Sequence, residues 1–300
     1  VSRKSLAAVA KALKGGPDIP ALFRGFTTVS NWIAPTELPD LRRVSVIALD
    51  TETHDKRLAA DMGSGWPFAD GHICGISVAC RAGTDIRAHY FPIRHPDSNN
   101  FNPARLYQWL RDLIASNVRI FTQNGGYDWG WLRAEADIKM PSAERLEEIG
   151  ALATIVDENR YTYNLGDLCK WRGLGAGKDT AQLKEAAIAL GMPKRGKPQS
   201  FIWKMPAHVV GPYAEQDAIS TLALFESLDP VLDREGTRAA YRLEVELLPM
   251  VLEMRRRGIR VDVDAAERAR DHLLAKRDAV FAENLRQARH QYRHGRNRPR

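Results

Sequence analysis

Cysteine is scarce in this chain. Three residues in 300, Cys74, Cys80 and Cys169, form no C-x-x-C pair and are odd in number, which excludes a disulfide framework and a zinc ribbon and fits a reducing compartment. Long apolar runs are also missing. The nearest approach to a targeting segment, Ser2 to Gly16, is broken by Lys11 and is too short for a signal core or a membrane span, so it reads as a short amphipathic helix. No internal repeat is visible, and no membrane partner is expected. Residues 1–250 show no charge excess, with 30 Lys+Arg against 30 Asp+Glu; the net +7 comes from residues 251–300, which hold 14 basic against 7 acidic residues.

What is present is an ordinary globular composition, 44% hydrophobic and 27% charged. Apolar runs bounded by Gly, Pro and Asp predict strands over Val44–Leu49, His72–Cys80, Arg87–Ile93 and Val118–Thr122, with the second and third forming a hairpin and a weak fifth strand within Arg145–Ala151. Helical periodicity predicts helices over Ala104–Ser116, Tyr127–Glu135, Leu146–Asp157, Asn164–Trp171, Thr180–Leu190 and Pro212–Leu228. A hairpin followed by α/β crossovers describes an α/β fold with a ribonuclease H-like mixed sheet flanked by helices. After Asp229-Pro230 a C-terminal helical extension is expected: one helix from Arg238 to Arg257 ended by Gly258, and a second capped by Asp264 and running to about Gln291, before a basic tail with nothing apolar to bury.

Three carboxylate motifs punctuate this pattern. Asp50-Thr51-Glu52 closes an apolar run, and residues i and i+2 of a strand share a face, so both acids can point to one edge. In Asn124-Gly125-Gly126-Tyr127-Asp128 the glycines suit a sharp strand-to-helix turn that carries Asp128 in the first helical turn, and Asn124 is placed to hydrogen-bond a terminal nucleotide. In Tyr213-Ala214-Glu215-Gln216-Asp217, Pro212 suits a first helical turn and Tyr213 and Asp217 fall on one face. No histidine stands five residues before Asp217. A second Tyr-x-x-x-Asp, Tyr163 to Asp167, is set aside because Asn164 reads as the helix cap, which leaves Tyr163 outside the helix.

Four acids and a phenol so spaced suit a two-metal nuclease. Phosphodiester hydrolysis is slow without catalysis, and two hard divalent ions, magnesium or manganese, held by oxygen ligands supply the charge stabilisation it requires. A basic stretch interleaved with aromatics, Lys170 to Lys204 with Trp171, Phe201 and Trp203, suits single-stranded nucleic acid. His54, His72 and His208 read as surface or structural residues, and the loop from Thr53 to Asp70, with Trp66 and Phe68, as a rim near the acids.

These motifs resemble those of the DEDD exonuclease superfamily, in its tyrosine-bearing DEDDy branch, the 3′–5′ proofreading domain of family A DNA polymerases; the stretch from Gly211 to Asp217 looks most like that of phage polymerases. The resemblance implies catalytic roles for Asp50, Glu52, Asp128, Tyr213 and Asp217. Asp50, Glu52 and Asp217 would hold one metal, Asp50 with Asp128 a second, and Tyr213 would orient the attacking water. Asn124, with Thr51 and Gln123 beside it, would contact the 3′ nucleotide. One departure is Glu148-Ile149, where relatives often carry Asp-Thr.

The expected organisation is a leader over 1–42, an exonuclease domain over 43–230, a segment resembling the start of a polymerase thumb over 231–290, and a disordered tail over 291–300. Palm and fingers are missing from this order, so polymerase activity is not expected. The expected partner is DNA, as single strands or 3′ ends, with RNA a possible substrate; the protein is expected to act as a monomer in the cytoplasm of a bacterial or phage-infected cell. Two alternatives compete, a ribonuclease D-like enzyme that trims RNA 3′ ends and a non-catalytic DNA-binding remnant of a polymerase.

Overall fold

The structure is a computed structural model and describes residues 32–96, 100–174, 181–193 and 195–295. The helix expected over Ser2–Gly16, together with Lys178, Lys194 and the last five residues, lies outside the described residues.

A five-stranded sheet of order β3-β2-β1-β4-β5 forms the frame. Strand β1 (Val46–Asp55) pairs antiparallel with β2 (Gly71–Ala82), which forms a hairpin with β3 (Asp85–Pro92). On its other side β1 pairs in parallel with β4 (Arg119–Thr122), and β4 in parallel with β5 (Leu146–Glu148). Helix α1 (Lys56–Ala59) follows β1, α2 (Pro103–Ala115) leads into β4, α3 (Gly125–Ala136) leaves it, and α4 (Ile149–Val156) leaves β5. Then come α5 (Leu165–Arg172), α6 (Ala181–Ala189), a 3-10 segment over Pro198–Lys204, and α7 (Ala207–Glu235). This is the mixed, helix-flanked α/β sheet that the pattern predicts.

The core sits where the central strands meet α3 and α7. Trp129 and Trp131 of α3 are wholly buried, and Phe121 of β4 stacks on Phe225 of α7 at 4.0 Å between ring centroids. Burial of such large rings, worth roughly 1.5–3 kcal/mol each, fixes both helices against the sheet.

Several local expectations give way to tertiary contacts. Leu146–Glu148 is strand rather than the start of a helix, because the open edge of β4 takes it as a partner. Helix α7 begins at Ala207, so Pro212 lies inside it, and Pro230 does not end it; Gly236 does, at φ 69°. A proline inside a helix costs about 3 kcal/mol, which burial of Val209, Val210, Tyr213 and Ala214 offsets. Trp66 is 2% exposed and packs over Gly130 rather than on a rim, where any Cβ on Gly130 would lie 2.4 Å from the indole. Phe68 is exposed, with the Arg57 guanidinium 4.1 Å from its ring centroid.

Two compact units divide at Arg256/Arg257. Helix α8 (Arg238–Arg257) buries Tyr241 and Val245 in the first. The second contains α9 (Val263–Gly295), whose cap is Asp262 rather than Asp264: Asp262 Oδ1 accepts from the Ala265 N–H at 2.9 Å. Among the described residues no helix is long and apolar enough to cross a membrane.

Candidate active site

The acids gather where β4 stops short of β1. Their parallel pairing ends at Ala48 and Phe121, while β1 continues to Asp55, so its backbone toward β4 needs other partners beyond Ala48. Asp128 of α3 supplies one: its Oδ1 accepts from the Thr51 N–H at 3.0 Å and from the Thr51 hydroxyl at 2.6 Å. Burial, and then the charge of Asp50, push the Asp128 carboxyl well above the usual carboxylate range. Thr51 is thus committed to Asp128, a role that the D-x-E pattern alone does not disclose.

Strand alternation then sorts the side chains. Thr51, Thr53 and Asp55 turn toward α3, where the Thr53 hydroxyl lies 2.6 Å from the Tyr127 hydroxyl, which donates to Asp55 at 3.1 Å. Asp50 and Glu52 turn the other way and meet Asp217 of α7. One oxygen from each of the three acids lies within 4.8 Å of the others. Glu52 and Asp217 are buried and Asp50 is partly exposed. At that separation each pair of charges repels by about 3.5 kcal/mol at an effective dielectric constant near 20. A hard divalent cation with oxygen ligands relieves this repulsion, so the donor set fits magnesium or manganese. Asp128 stands beside this trio rather than within it.

Helical geometry explains the third motif. Tyr213 and Asp217 are one turn apart on one face of α7, and Glu215 is on the opposite face. Glu215 accepts from the Trp32 indole at 2.9 Å and from the Tyr90 N–H at 3.0 Å, anchoring the back of the helix to β3. Tyr213 is 6% exposed. Burial, and then the carboxylates of Asp217, Glu52 and Asp50, raise its phenol well above the usual tyrosine range. The second Tyr-x-x-x-Asp is not part of this site: Asn164 caps α5 by accepting from the Asp167 N–H at 2.9 Å, and Tyr163 precedes the helix.

The turn into α3 differs from expectation in an instructive way. Asn124, not a glycine, takes the left-handed conformation, at φ 61°. Gly125 is required for space instead, since a Cβ there would lie 2.2 Å from the Thr122 hydroxyl oxygen. What holds the turn is Glu148. Its Oε1 accepts from the Asn124 N–H at 2.6 Å and the Gly125 N–H at 3.3 Å, while Oε2 accepts from the Ala151 N–H at 2.7 Å and so caps α4. Burial nonetheless raises its carboxyl above the usual range. The Tyr241 hydroxyl of α8 accepts from the Glu148 N–H at 3.0 Å and donates to Glu147 at 2.7 Å. The signal in the sequence was the departure at Glu148-Ile149, whose length lets one carboxylate reach two helix starts. Gln123 donates to the Tyr163 carbonyl at 3.0 Å, and the Asn124 side chain is exposed and makes no cap bond.

The sheet order, with helices on its faces and the acids on β1, α3 and α7 at one edge, is a ribonuclease H-like fold. Sequence comparison finds similarity to DNA polymerases of bacteriophages. It is 29% identical over 266 residues to a DNA-directed DNA polymerase of Pseudomonas phage M6, covering 86% of this chain and 38% of that protein. It is also 29% identical over 232 residues to the DNA polymerase DpoZ of Salmonella phage PMBT28, covering 77% of this chain and 33% of that polymerase. The chain thus spans about a third of the length of these relatives. Among solved structures, the POL domain of Pol1 from M. smegmatis, in complex with DNA primer-template and dNTP, superposes with a TM-score of 0.55 at 14% identity, over 83% of this chain and 36% of that one. No protein-family model matches the sequence.

Proposed function

We propose that this chain is a metal-dependent 3′–5′ exonuclease that acts on single-stranded or frayed DNA 3′ ends and releases nucleoside 5′-monophosphates. The observation that carries the reading is the convergence of Asp50, Glu52 and Asp217 within 4.8 Å, beside a buried tyrosine one helical turn from Asp217. Asp50, Glu52 and Asp217 would hold one divalent ion, and Asp50 with Asp128 a second. When bound, such ions supply a hydroxide at neutral pH and neutralise charge on the scissile phosphate.

The remaining steps belong to the chain's own groups. Tyr213, one helical turn from Asp217, would orient the attacking water through its hydroxyl beside the carboxylates that would hold the cation. The exposed Asn124 amide has no capping duty and serves the sugar or base of the terminal nucleotide; Gln123, whose amide nitrogen donates to the Tyr163 carbonyl and whose oxygen is buried, supports the turn from behind. The sequence relationship to phage DNA polymerases supports DNA over RNA as the substrate.

Product analysis tests the reading. Incubation of a single-stranded DNA oligonucleotide with manganese is expected to yield nucleoside 5′-monophosphates, and the same sequence in RNA far less. Release of 3′-monophosphates would contradict the attack geometry, and cleavage of RNA alone would turn the assignment to RNA trimming. Tyr213→Phe is expected to slow single-turnover cleavage about 10- to 100-fold with KM little changed, because the water loses an orienting group and the cation keeps its ligands. A loss as deep as that of Asp217→Asn would show that the hydroxyl does more than orient.

A further inference from the structure

The face of β1 that carries Asp50 and Glu52 continues, across a bulge at Glu52/Thr53, to His54. At about 3.4 Å per strand residue, His54 lies roughly 7 Å beyond Glu52 on the same side. Its ring stacks on Trp203 of the 3-10 segment, with centroids 3.9 Å apart and planes 19° from parallel. The pair forms one wall of a cavity of about 550 Å³. Lys56, Arg195, Lys197 and Lys204 line it against one carboxylate, Asp61. The Lys204 ammonium lies 4.9 Å from the Trp203 ring centroid and 5.7 Å from that of Phe201, so charge and aromatic surface are interleaved.

A cationic cavity with a stacked aromatic wall, reached from the acid trio along one face of β1, suits phosphodiesters and bases rather than a small apolar ligand. Its side of the sheet also matters. Asn124, given above to the terminal nucleotide, sits at the start of α3, toward which Thr51 and Thr53 turn; the cavity lies on the opposite side of β1. We propose that this cavity is a subsite for the single strand from the second nucleotide upstream of the scissile bond, with Lys197, Lys204 and Arg195 on its phosphates and the Trp203–His54 stack as a platform for one base. The inference rests on the exonuclease reading for its direction. The sequence points to the basic and aromatic stretch but reads His54 as a surface or structural residue, because its partner Trp203 is distant in the chain.

The test is fluorescence anisotropy of 5′-labelled oligothymidylates of two and eight nucleotides, bound to the full chain in chelator so that no cleavage occurs. Lys197→Gln/Lys204→Gln is expected to weaken binding of the eight-mer by roughly tenfold and to reduce the slope of log K against log salt by about 1.4, near 0.7 for each phosphate that the two amines no longer neutralise. Trp203→Leu is expected to weaken the eight-mer by about fivefold or more with the salt slope unchanged. Binding of the two-mer should change less than about twofold in every variant, since it does not reach the subsite. Equal losses for both lengths, or no loss for the eight-mer, would overturn the assignment. Cleavage of both oligomers by the wild type with manganese is measured in parallel. If binding follows the expected pattern and neither oligomer is cut, the exonuclease reading fails and the subsite stands; if both are cut and binding losses do not depend on length, the subsite fails alone.

Discussion

Asp217→Asn is expected to lower metal-dependent cleavage by on the order of 10³-fold or more, while the melting temperature of the metal-free protein stays level or rises. The two halves of this expectation have one cause. Asp50, Glu52 and Asp217 crowd three carboxylates within 4.8 Å. Each pair repels by about 3.5 kcal/mol at an effective dielectric constant near 20. Asparagine keeps the shape and removes a charge, which relieves repulsion in the metal-free protein and weakens cation binding where it is needed. Asp50→Asn should behave alike, because Asp50 also faces Asp128 and would serve both ions. Thermal unfolding in chelator, beside single-turnover rates with manganese, checks both halves. A large fall in melting temperature would mean that Asp217 holds the fold instead.

Glu148→Ala is expected to have the opposite profile, with a loss of stability of about 3–5 kcal/mol and a secondary loss of activity. Its carboxylate accepts from three backbone N–H groups, those of Asn124, Gly125 and Ala151. Each buried donor left without a partner costs about 1–3 kcal/mol, and Asn124 at φ 61° would be deprived of the acceptor that holds its left-handed turn. Because α3 starts from that turn, Asp128 would be placed less accurately, so kcat should fall with KM little altered. Glu148→Gln offers one carbonyl oxygen instead of two carboxylate oxygens and can serve only one of the two helix starts, so its loss should be intermediate. Urea denaturation of the three proteins checks the order. A loss below about 1 kcal/mol in the alanine variant would show that the turn is held by other groups.

Much of this arrangement is legible in the sequence, for physical reasons. Period-2 alternation places Asp50 and Glu52 together without knowledge of the partner strands, and one turn of helix does the same for Tyr213 and Asp217. The Asn164 cap disqualifies Tyr163 from local rules alone. What local rules miss is decided by distant residues. Pro212 suggests a helix start, yet buried residues before it carry α7 back to Ala207. Trp66 reads as a rim residue until Gly130 provides the gap it fills. Thr51 gives no hint of Asp128, 77 residues away, nor Asn124 of Glu148, 24 residues on. His54 acquires meaning only beside Trp203.

The most direct test of the central claim, that these acids serve metal-dependent removal of nucleotides from a 3′ end, is a time course on a 5′-labelled single-stranded DNA oligonucleotide with manganese, with chelator, and with Asp50→Ala in place of the wild type. The expected result is a ladder that shortens stepwise from the 3′ end with the wild type and metal, and an intact oligonucleotide in the other two reactions. Shortening that persists in Asp50→Ala or in chelator would contradict the account, as would cleavage at internal positions with no ladder.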